Sequence, residues 1–80
     1  MPASQILSTE DEAIRDHLER LDPRLLYVYL AWHGHFDGNA SATQLKQYFI
    51  SRGHVWANVD RSTFTRWMHK IETVICQCRA

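Results

Sequence analysis

The 80-residue sequence predicts an all-α domain, a small bundle of three or four helices. Apolar residues recur at spacings of three and four, the period of a helix face, in successive stretches of the chain. Residues typical of helix N-caps precede these stretches, and turn-forming residues separate them. The length suits one domain and no repeat or linker interrupts it, so residues 1–80 are predicted to form a single domain.

The first helix is predicted over residues 10–21, after a flexible segment at residues 1–9. Thr9 and Glu12 fit a capping box at its start. The residues at helical spacing, which should face inward, are Ile14, His17, Leu18 and Leu21. The opposite face is acidic and solvated, and it carries the i,i+4 pairs Asp11 with Arg15 and Asp16 with Arg20.

A second helix is predicted to begin at Asp22, a good N-cap, with Pro23 at the first helical position. It has almost no polar face, which is typical of a buried central helix. Its apolar residues are Leu25, Leu26, Val28, Tyr29, Leu30 and Trp32. Gly34 is expected to end it as a left-handed cap, before the turn residues FDGNA.

The third helix is predicted to follow a capping box formed by Ser41 and Gln44, and to end at Gly53. Its inner face is predicted to hold Ala42, Leu45, Tyr48 and Phe49. The segment HVWANV alternates enough to indicate a short extended piece. Its predicted inner side holds Val55, Ala57 and Val59.

The last helix is predicted to begin after Asp60 and to fray from Cys76 to Ala80. Its apolar stripe comprises Phe64, Trp67, Met68, Ile71 and Ile75. Its polar stripe comprises Ser62, Arg66, His69 and Thr73, with Thr63 and Lys70 beside it. At 100° per residue the two stripes lie on opposite sides of the helix, so one side is predicted to face the core and the other solvent.

Net charge is zero, but the two halves of the chain differ. The first 40 residues hold three arginines and the acids Glu10, Asp11, Glu12, Asp16, Glu19, Asp22 and Asp37. The last 40 hold Asp60, Glu72 and the bases Lys46, Arg52, Arg61, Arg66, Lys70 and Arg79. The basic half favours a nucleic-acid partner, although the two halves could also neutralise each other across the fold.

The segments SATQLKQYFISRG and VDRSTFTRWMHKIE together resemble the two helices of a helix-turn-helix module. The resemblance covers about residues 41–75 and is to the domains of arginine repressors, resolvases and transposases. It implies a helix-turn-helix core over residues 22–75 whose last helix enters the DNA major groove. Two features depart from the family. The connection between the helices is longer than in arginine repressors, and no sequence follows for a C-terminal wing.

Carried over by position, the resemblance implies DNA contacts from Ser62, Thr63, Thr65 and Arg66, and core packing by Phe64 and Trp67. Arginine can bind guanine through two hydrogen bonds, and hydroxyl side chains can bind phosphates or bases. Arg61, at the helix start, is placed to pair with a phosphate. His69 and Lys70 extend the same polar face, so all seven are predicted DNA-binding residues: Arg61, Ser62, Thr63, Thr65, Arg66, His69 and Lys70.

These features predict a small DNA-binding transcriptional regulator of bacterial or phage type, acting on double-stranded DNA. A dimer is expected because one helix-turn-helix module gives limited specificity. The first helix, through Ile14, Leu18 and Leu21, is the expected dimer surface. A cytoplasmic location is expected, because no signal peptide and no apolar run of membrane-spanning length is evident.

A protein-binding module is the alternative: a phage or plasmid protein that uses a helix-turn-helix fold to engage a host protein. Its contacts would come from the acidic first helix, through Asp11 and Asp16, or from Trp56. Tryptophan is enriched at interface hot spots, but Trp56 could equally fold back over the small core.

Metal binding and catalysis are weakly indicated. His33, His35, Cys76 and Cys78 are residue types that bind zinc, yet their spacing fits no familiar finger, and stray polar residues at segment ends are common. No nucleophile with an evident base and no glycine-rich phosphate loop is present, so we expect neither enzymatic activity nor a cofactor.

Overall fold

The computed structural model describes the backbone of residues 2–79 and the side chains of residues 10–78. It confirms the predicted all-α class, and no strand occurs within residues 2–79. The elements are α1 (Pro2–Leu21), α2 (Pro23–Tyr29) with a π-helical continuation (Leu30–His35), α3 (Ala42–Ser51), a 3-10 turn (Val55–Ala57) and α4 (Arg61–Arg79). Helix α4 packs against α1, α2 and α3.

The hydrophobic core is formed by all four helices, and every fully buried side chain among the described residues is apolar. Its largest members with almost no exposed surface are Leu18, Val28, Leu45, Phe64, Ile71 and Val74. Ile14 and Leu18 point into this core, so they cannot form the dimer surface expected of the first helix. Leu21, the third residue of that predicted surface, is 47% exposed.

Helix α1 begins at Pro2, eight residues before the predicted start. Thr9 therefore lies inside the helix, and the prediction of a capping box at Thr9 and Glu12 is wrong. No glycine or second proline follows Pro2 within α1, so nothing in the sequence breaks the helix before the predicted start. The flexibility expected of residues 1–9 stays a prediction, and Met1 lies outside the described residues.

Helix α2 starts as predicted, because the Asp22 carboxylate accepts the Arg24 backbone N–H at 3.0 Å. The end of the segment differs from the prediction. Gly34 lies within the π-helical continuation, and the left-handed residues come later, at Asp37 and Gly38. The Trp32 indole N–H donates to the Gly38 carbonyl at 3.1 Å, which links this helix to the turn that follows it.

The predicted capping box of α3 is confirmed. The Ser41 N–H donates to the Gln44 side-chain oxygen at 2.8 Å, and the Gln44 N–H donates to the Ser41 hydroxyl at 3.2 Å. Gly53 follows the helix in the left-handed conformation, with φ of 85°. The His54 N–H returns to the Phe49 carbonyl at 3.0 Å, which completes a Schellman motif.

The connection between α3 and α4 is not the extended piece that its alternation predicted. Residues Val55–Ala57 form one 3-10 turn, in which residues two apart do not share a face. Ala57 is therefore fully buried, whereas Val55 is 87% exposed. The tight turn brings the chain from the end of α3 to the start of α4.

Helix α4 begins at Arg61, and the carbonyl of Asp60 accepts the Thr63 N–H at 2.9 Å, as expected of the residue before the helix. Phe64, Ile71 and Ile75 are buried, which confirms the register of the apolar stripe, while Trp67 and Met68 are half-buried. The helix continues to Arg79 and does not end near Cys76, because Ile75 and Cys78 still pack against the core. None of the described helices has both the length and the hydropathy needed to cross a lipid bilayer.

Candidate nucleic-acid interface

The outer face of α4 brings together the residues predicted to bind DNA. Its exposed members are Arg61, Ser62, Thr65, Arg66, His69, Lys70 and Thr73. Thr63, the remaining predicted DNA-binding residue, is half-buried at the edge of this face. The face points away from the core because Phe64 and Ile71 are fully buried on the opposite side of the helix.

The bases on the outer face of α4 form no salt bridge with any other described residue. The salt bridges among the described residues are Asp11–Arg15, Asp16–Arg20 and Asp22–Arg24, all in the first 24 residues of the chain. No described acid thus lies within salt-bridge distance of Arg61, Arg66 or Lys70. Their charge remains available to an anionic partner.

Two threonine hydroxyl groups on this face donate hydrogen bonds to backbone carbonyls of α4 itself. Thr65 Oγ1 donates to the Arg61 carbonyl at 3.1 Å, and Thr73 Oγ1 donates to the His69 carbonyl at 3.0 Å. In this rotamer the hydroxyl proton of each threonine is already used in a hydrogen bond, but the oxygen lone pairs are available. Each hydroxyl can therefore accept a hydrogen bond from a nucleobase, but it cannot donate one to a phosphate. Arg66 Nη2 lies 3.5 Å from Thr63 Oγ1, a long contact that leaves the guanidinium in solvent.

A groove runs along one side of the outer face, between α4 and the corner where α1 meets α2. This corner groove has a volume of about 460 Å³ and is lined by Leu21, Asp22, Leu25, Arg66, Trp67 and Lys70. Sequence reasoning missed it, because no local pattern shows that the start of α2 will lie against the middle of α4. Arg66 and Lys70 therefore line this groove and also belong to the exposed outer face of α4.

Arg24 contacts Asp22 and Trp67, two of the residues that line the corner groove. Its Nη2 and Nε atoms donate to the Asp22 carboxylate at 2.8 and 3.1 Å. Its guanidinium carbon lies 5.2 Å from the centre of the Trp67 ring, within cation–π range. The hydrogen bonds from Arg24 hold the pKa of Asp22 below its ordinary value against partial burial, and Asp22 in turn raises the pKa of Arg24. The two side chains are therefore an ion pair at neutral pH.

The acidic residues predicted to bind a protein partner have partners within the chain. Asp11 is half-buried, accepts the Tyr29 hydroxyl proton at 2.7 Å and pairs with Arg15 at 2.6 Å. The predicted pair of Asp11 with Arg15 is confirmed, and the Asp11 side chain remains 35% exposed. Its carboxylate also links α1 to the buried Tyr29, a contact that the sequence did not indicate. Asp16 is exposed as predicted, and it pairs with Arg20.

Trp56 is not an exposed anchor, because it packs against the core in an aromatic cluster. Its ring centre lies 4.9 Å from that of Phe49, 6.1 Å from Trp67 and 6.2 Å from Tyr27. The other interpretation, that Trp56 folds back over the small core, agrees with these contacts.

An apolar patch lies beside this cluster and escaped the sequence reasoning. It consists of Tyr27, Ile50 and Val55, which are 49%, 44% and 87% exposed. His54 joins them, because its ring stacks on Tyr27 and it lines the same shallow depression as Ile50 and Val55. The sequence analysis did not indicate this patch, because the predicted extended piece placed Val55 on its inner side.

The candidate zinc ligands do not assemble. His33 packs against Tyr29 and Trp32, while His35 packs against Tyr48 at a ring-centre distance of 4.8 Å. Cys76 is exposed and Cys78 half-buried near the end of α4. Among the described side chains, no three histidine, cysteine, aspartate or glutamate residues are close enough to share a metal ion.

Comparison with known proteins identifies no relative: no protein-family model, no curated protein and no solved structure matches this chain. The functional argument therefore depends on the geometry and charge described above.

Proposed function

We propose that this protein binds double-stranded DNA through the outer face of α4, as a small regulator of helix-turn-helix type. The observation that carries the proposal is the set of unpaired bases Arg61, Arg66 and Lys70 on the exposed side of one helix. The arginines of the first 24 residues each form a local salt bridge, whereas these three bases form none among the described residues. They therefore supply a positive surface although the net charge of the chain is zero.

The dimensions of α4 suit a DNA groove. Its 19 residues give a rod about 28 Å long at 1.5 Å per residue. The major groove of B-DNA is about 12 Å wide and admits an α-helix. Helix α3 packs against α4 and ends in the sharp turn at Gly53, which is the relation expected of a bracing helix and a recognition helix.

The side chains of the outer face are suited to different DNA contacts, some with nucleobases and some with phosphates. Arg66 lies at its centre and is long enough to reach guanine O6 and N7 with two hydrogen bonds. Arg61 and Lys70 lie toward its two sides, where phosphates would flank an inserted helix. Ser62, in the first turn, can bind a phosphate beside the positive end of the helix dipole.

The test is a titration with duplex DNA of random sequence at about 50 and 200 mM salt. Each phosphate neutralised should contribute about −0.9 to the slope of log affinity against log salt, so three bases predict a slope near −2.7. Arg66→Ala and Lys70→Ala should each weaken binding and reduce the slope, whereas Arg20→Ala, on α1, should do neither. Absence of binding at about 50 mM salt would disprove the proposal.

A protein partner is the second candidate, and the apolar patch favours it. Aliphatic side chains as exposed as Ile50 and Val55, side by side with Tyr27, are typical of interaction surfaces. The surface differs from the one expected from the sequence, since Asp11 and Trp56 are engaged within the fold.

Two substitutions, Val55→Asp and Arg66→Ala, distinguish a protein partner from a DNA partner. If the partner is a protein, Val55→Asp should abolish its co-purification with a tagged copy, and Arg66→Ala should leave it unchanged. If the partner is DNA, Arg66→Ala should weaken DNA binding and Val55→Asp should have no effect on it.

A further inference from the structure

We propose that the corner groove, which Arg66 and Lys70 line, is a binding site for a phosphate and its sugar in the DNA backbone, that Arg24 assists from beside it, and that Asp22 limits its affinity. This inference rests on the proposed DNA-binding function and extends the interface from α4 to the first turn of α2.

Cations from two separate elements meet at this groove. Arg66 and Lys70 line it from α4, and Arg24 of α2 contacts two other lining residues, Asp22 and Trp67. A single anionic group placed there can interact with both elements at once. Of the three bases, Arg24 is held in place before any ligand arrives, since Asp22 and Trp67 fix its guanidinium. A fixed donor loses less conformational entropy on binding than a mobile surface arginine does.

The guanidinium of Arg24 retains donors for a ligand. Arginine has five N–H groups, and the bonds to Asp22 use the Nε hydrogen and one Nη2 hydrogen. Three N–H groups therefore remain, including both on Nη1. A phosphate oxygen is a strong acceptor for such donors, and arginine pairs with phosphate by this geometry.

Half of the lining residues of the groove are apolar, and these suit the sugar that follows each phosphate. Leu21 and Leu25 lie on one side and Trp67 on the other. The groove volume of about 460 Å³ lies within the range of ordinary small-ligand sites, about 300–1,000 Å³. Contact with a deoxyribose would also cover Leu21, which is otherwise half exposed at the end of α1.

Asp22 has two opposed effects in this site. Its carboxylate positions Arg24 and caps α2, yet it also places a negative charge beside the proposed phosphate. Replacing it with asparagine separates these effects, because asparagine is an equally good N-cap and carries no charge. A protein that must release non-specific DNA benefits from such a restraint, since backbone contacts supply non-specific binding.

The first test is the salt dependence of duplex binding by Arg24→Gln. With Arg24 as a fourth phosphate contact beside the three bases of α4, the slope of log affinity against log salt for the parent should be about −3.6. The variant should bind random duplex DNA more weakly, with a slope of about −2.7. The matched control is Arg20→Gln, which also removes an arginine paired with an aspartate, but neither Arg20 nor its partner Asp16 lines the groove. Arg24→Lys should restore the slope, because the salt dependence follows charge and not the shape of the guanidinium.

The second test removes a negative charge from the groove and should therefore increase DNA affinity. Asp22→Asn should bind duplex DNA more tightly than the parent, whereas Asp16→Asn should bind equally. If the Asp22–Arg24 pair were purely structural, Asp22→Asn and Arg24→Gln would change DNA affinity in the same direction. Thermal melting of each variant shows whether the domain is intact.

The outcomes distinguish this inference from the proposed function. If Arg66→Ala reduces the salt slope and Arg24→Gln does not, the corner groove is not a phosphate site, while DNA binding by α4 stands. If the parent protein binds no duplex at about 50 mM salt, the proposed function and this inference fail together. Tighter binding by Asp22→Asn with a reduced slope for Arg24→Gln would support the site.

Discussion

The two long helices of this protein, α1 and α4, have similar core-facing surfaces, but their solvent-facing surfaces differ in how the charges are paired. They have 20 and 19 residues, pack against each other, and bury apolar residues such as Leu18 and Phe64 completely. On the outer surface of α1, Arg15 and Arg20 each pair with an aspartate one turn earlier. The bases on the outer face of α4 have no such partners among the described residues.

This difference shows why a count of charged residues is a poor guide to function. An exposed i,i+4 ion pair contributes only a few tenths of a kcal/mol to a helix, but it neutralises its own field. Without such pairs, Arg66 and Lys70 leave α4 with a local positive potential although the whole chain is neutral. The available charge depends on local pairing, which the three-dimensional arrangement decides.

The inner faces should respond alike to truncation, and this is the largest expected effect. Leu18→Ala should cost about 2–5 kcal/mol and Phe64→Ala about 3–5 kcal/mol of the free energy of unfolding, because both side chains are fully buried. Chemical denaturation measures the loss. Val55→Ala, at the exposed patch, should stay within about 0.5 kcal/mol of the parent and serves as the control. A parent-like Phe64→Ala would mean that the register of α4 is wrong.

The outer faces should respond differently to loss of an arginine. Arg66→Ala should weaken binding to a preferred duplex by about 1–3 kcal/mol, the worth of a bidentate base contact. Arg20→Ala should not change the affinity, since Arg20 lies on α1 and not on the outer face of α4. Fluorescence anisotropy at one low salt concentration measures both. Equal losses for the two variants would remove the distinction between α1 and α4.

Within α1 itself, the two aspartates should differ in their effect on stability. Asp11→Ala removes the acceptor of the Tyr29 hydroxyl, and a net hydrogen bond of this kind is worth about 1 kcal/mol. Asp16→Ala removes only an exposed ion pair and should cost about 0.5 kcal/mol or less. The comparison of their denaturation midpoints checks the assignment. If Asp16→Ala costs as much as Asp11→Ala, the link between α1 and Tyr29 does not stabilise the fold.

Local sequence signals predicted the helices and the two faces of α4. The caps at Asp22 and Ser41 and the turn at Gly53 are as expected, because each depends on residues within one turn of the chain. The apolar stripe of α4 is also correct, since helical periodicity is itself local. The outer face, with Arg66 at its centre, could therefore be predicted from the sequence before its position in the fold was known.

Features that depend on contacts between distant residues were not predictable in this way. The hydrogen bond between Asp11 and Tyr29, for example, joins two helices across 18 residues of the chain. Val55 was placed on the wrong side because a 3-10 turn and a strand distribute alternate residues differently. The corner groove belongs to the same class, because it exists only where α2 meets α4.

The smallest expected effect concerns the pH dependence of the Asp22–Arg24 pair. Hydrogen bonds from Arg24 lower the pKa of Asp22 from its ordinary value of 3.8, so the native state favours the charged carboxylate. The resulting stability is present above the unfolded pKa and is lost as pH falls through the native one. The stability of the parent relative to Asp22→Asn should therefore be constant near neutral pH and should decrease below about pH 4. The same comparison in an Arg24→Gln background should show a weaker pH dependence, since the main cause of the pKa shift is gone. Denaturation curves of the four proteins between pH 2 and 7 complete this cycle, and an equal pH dependence in both backgrounds would show that Arg24 does not hold the charge of Asp22.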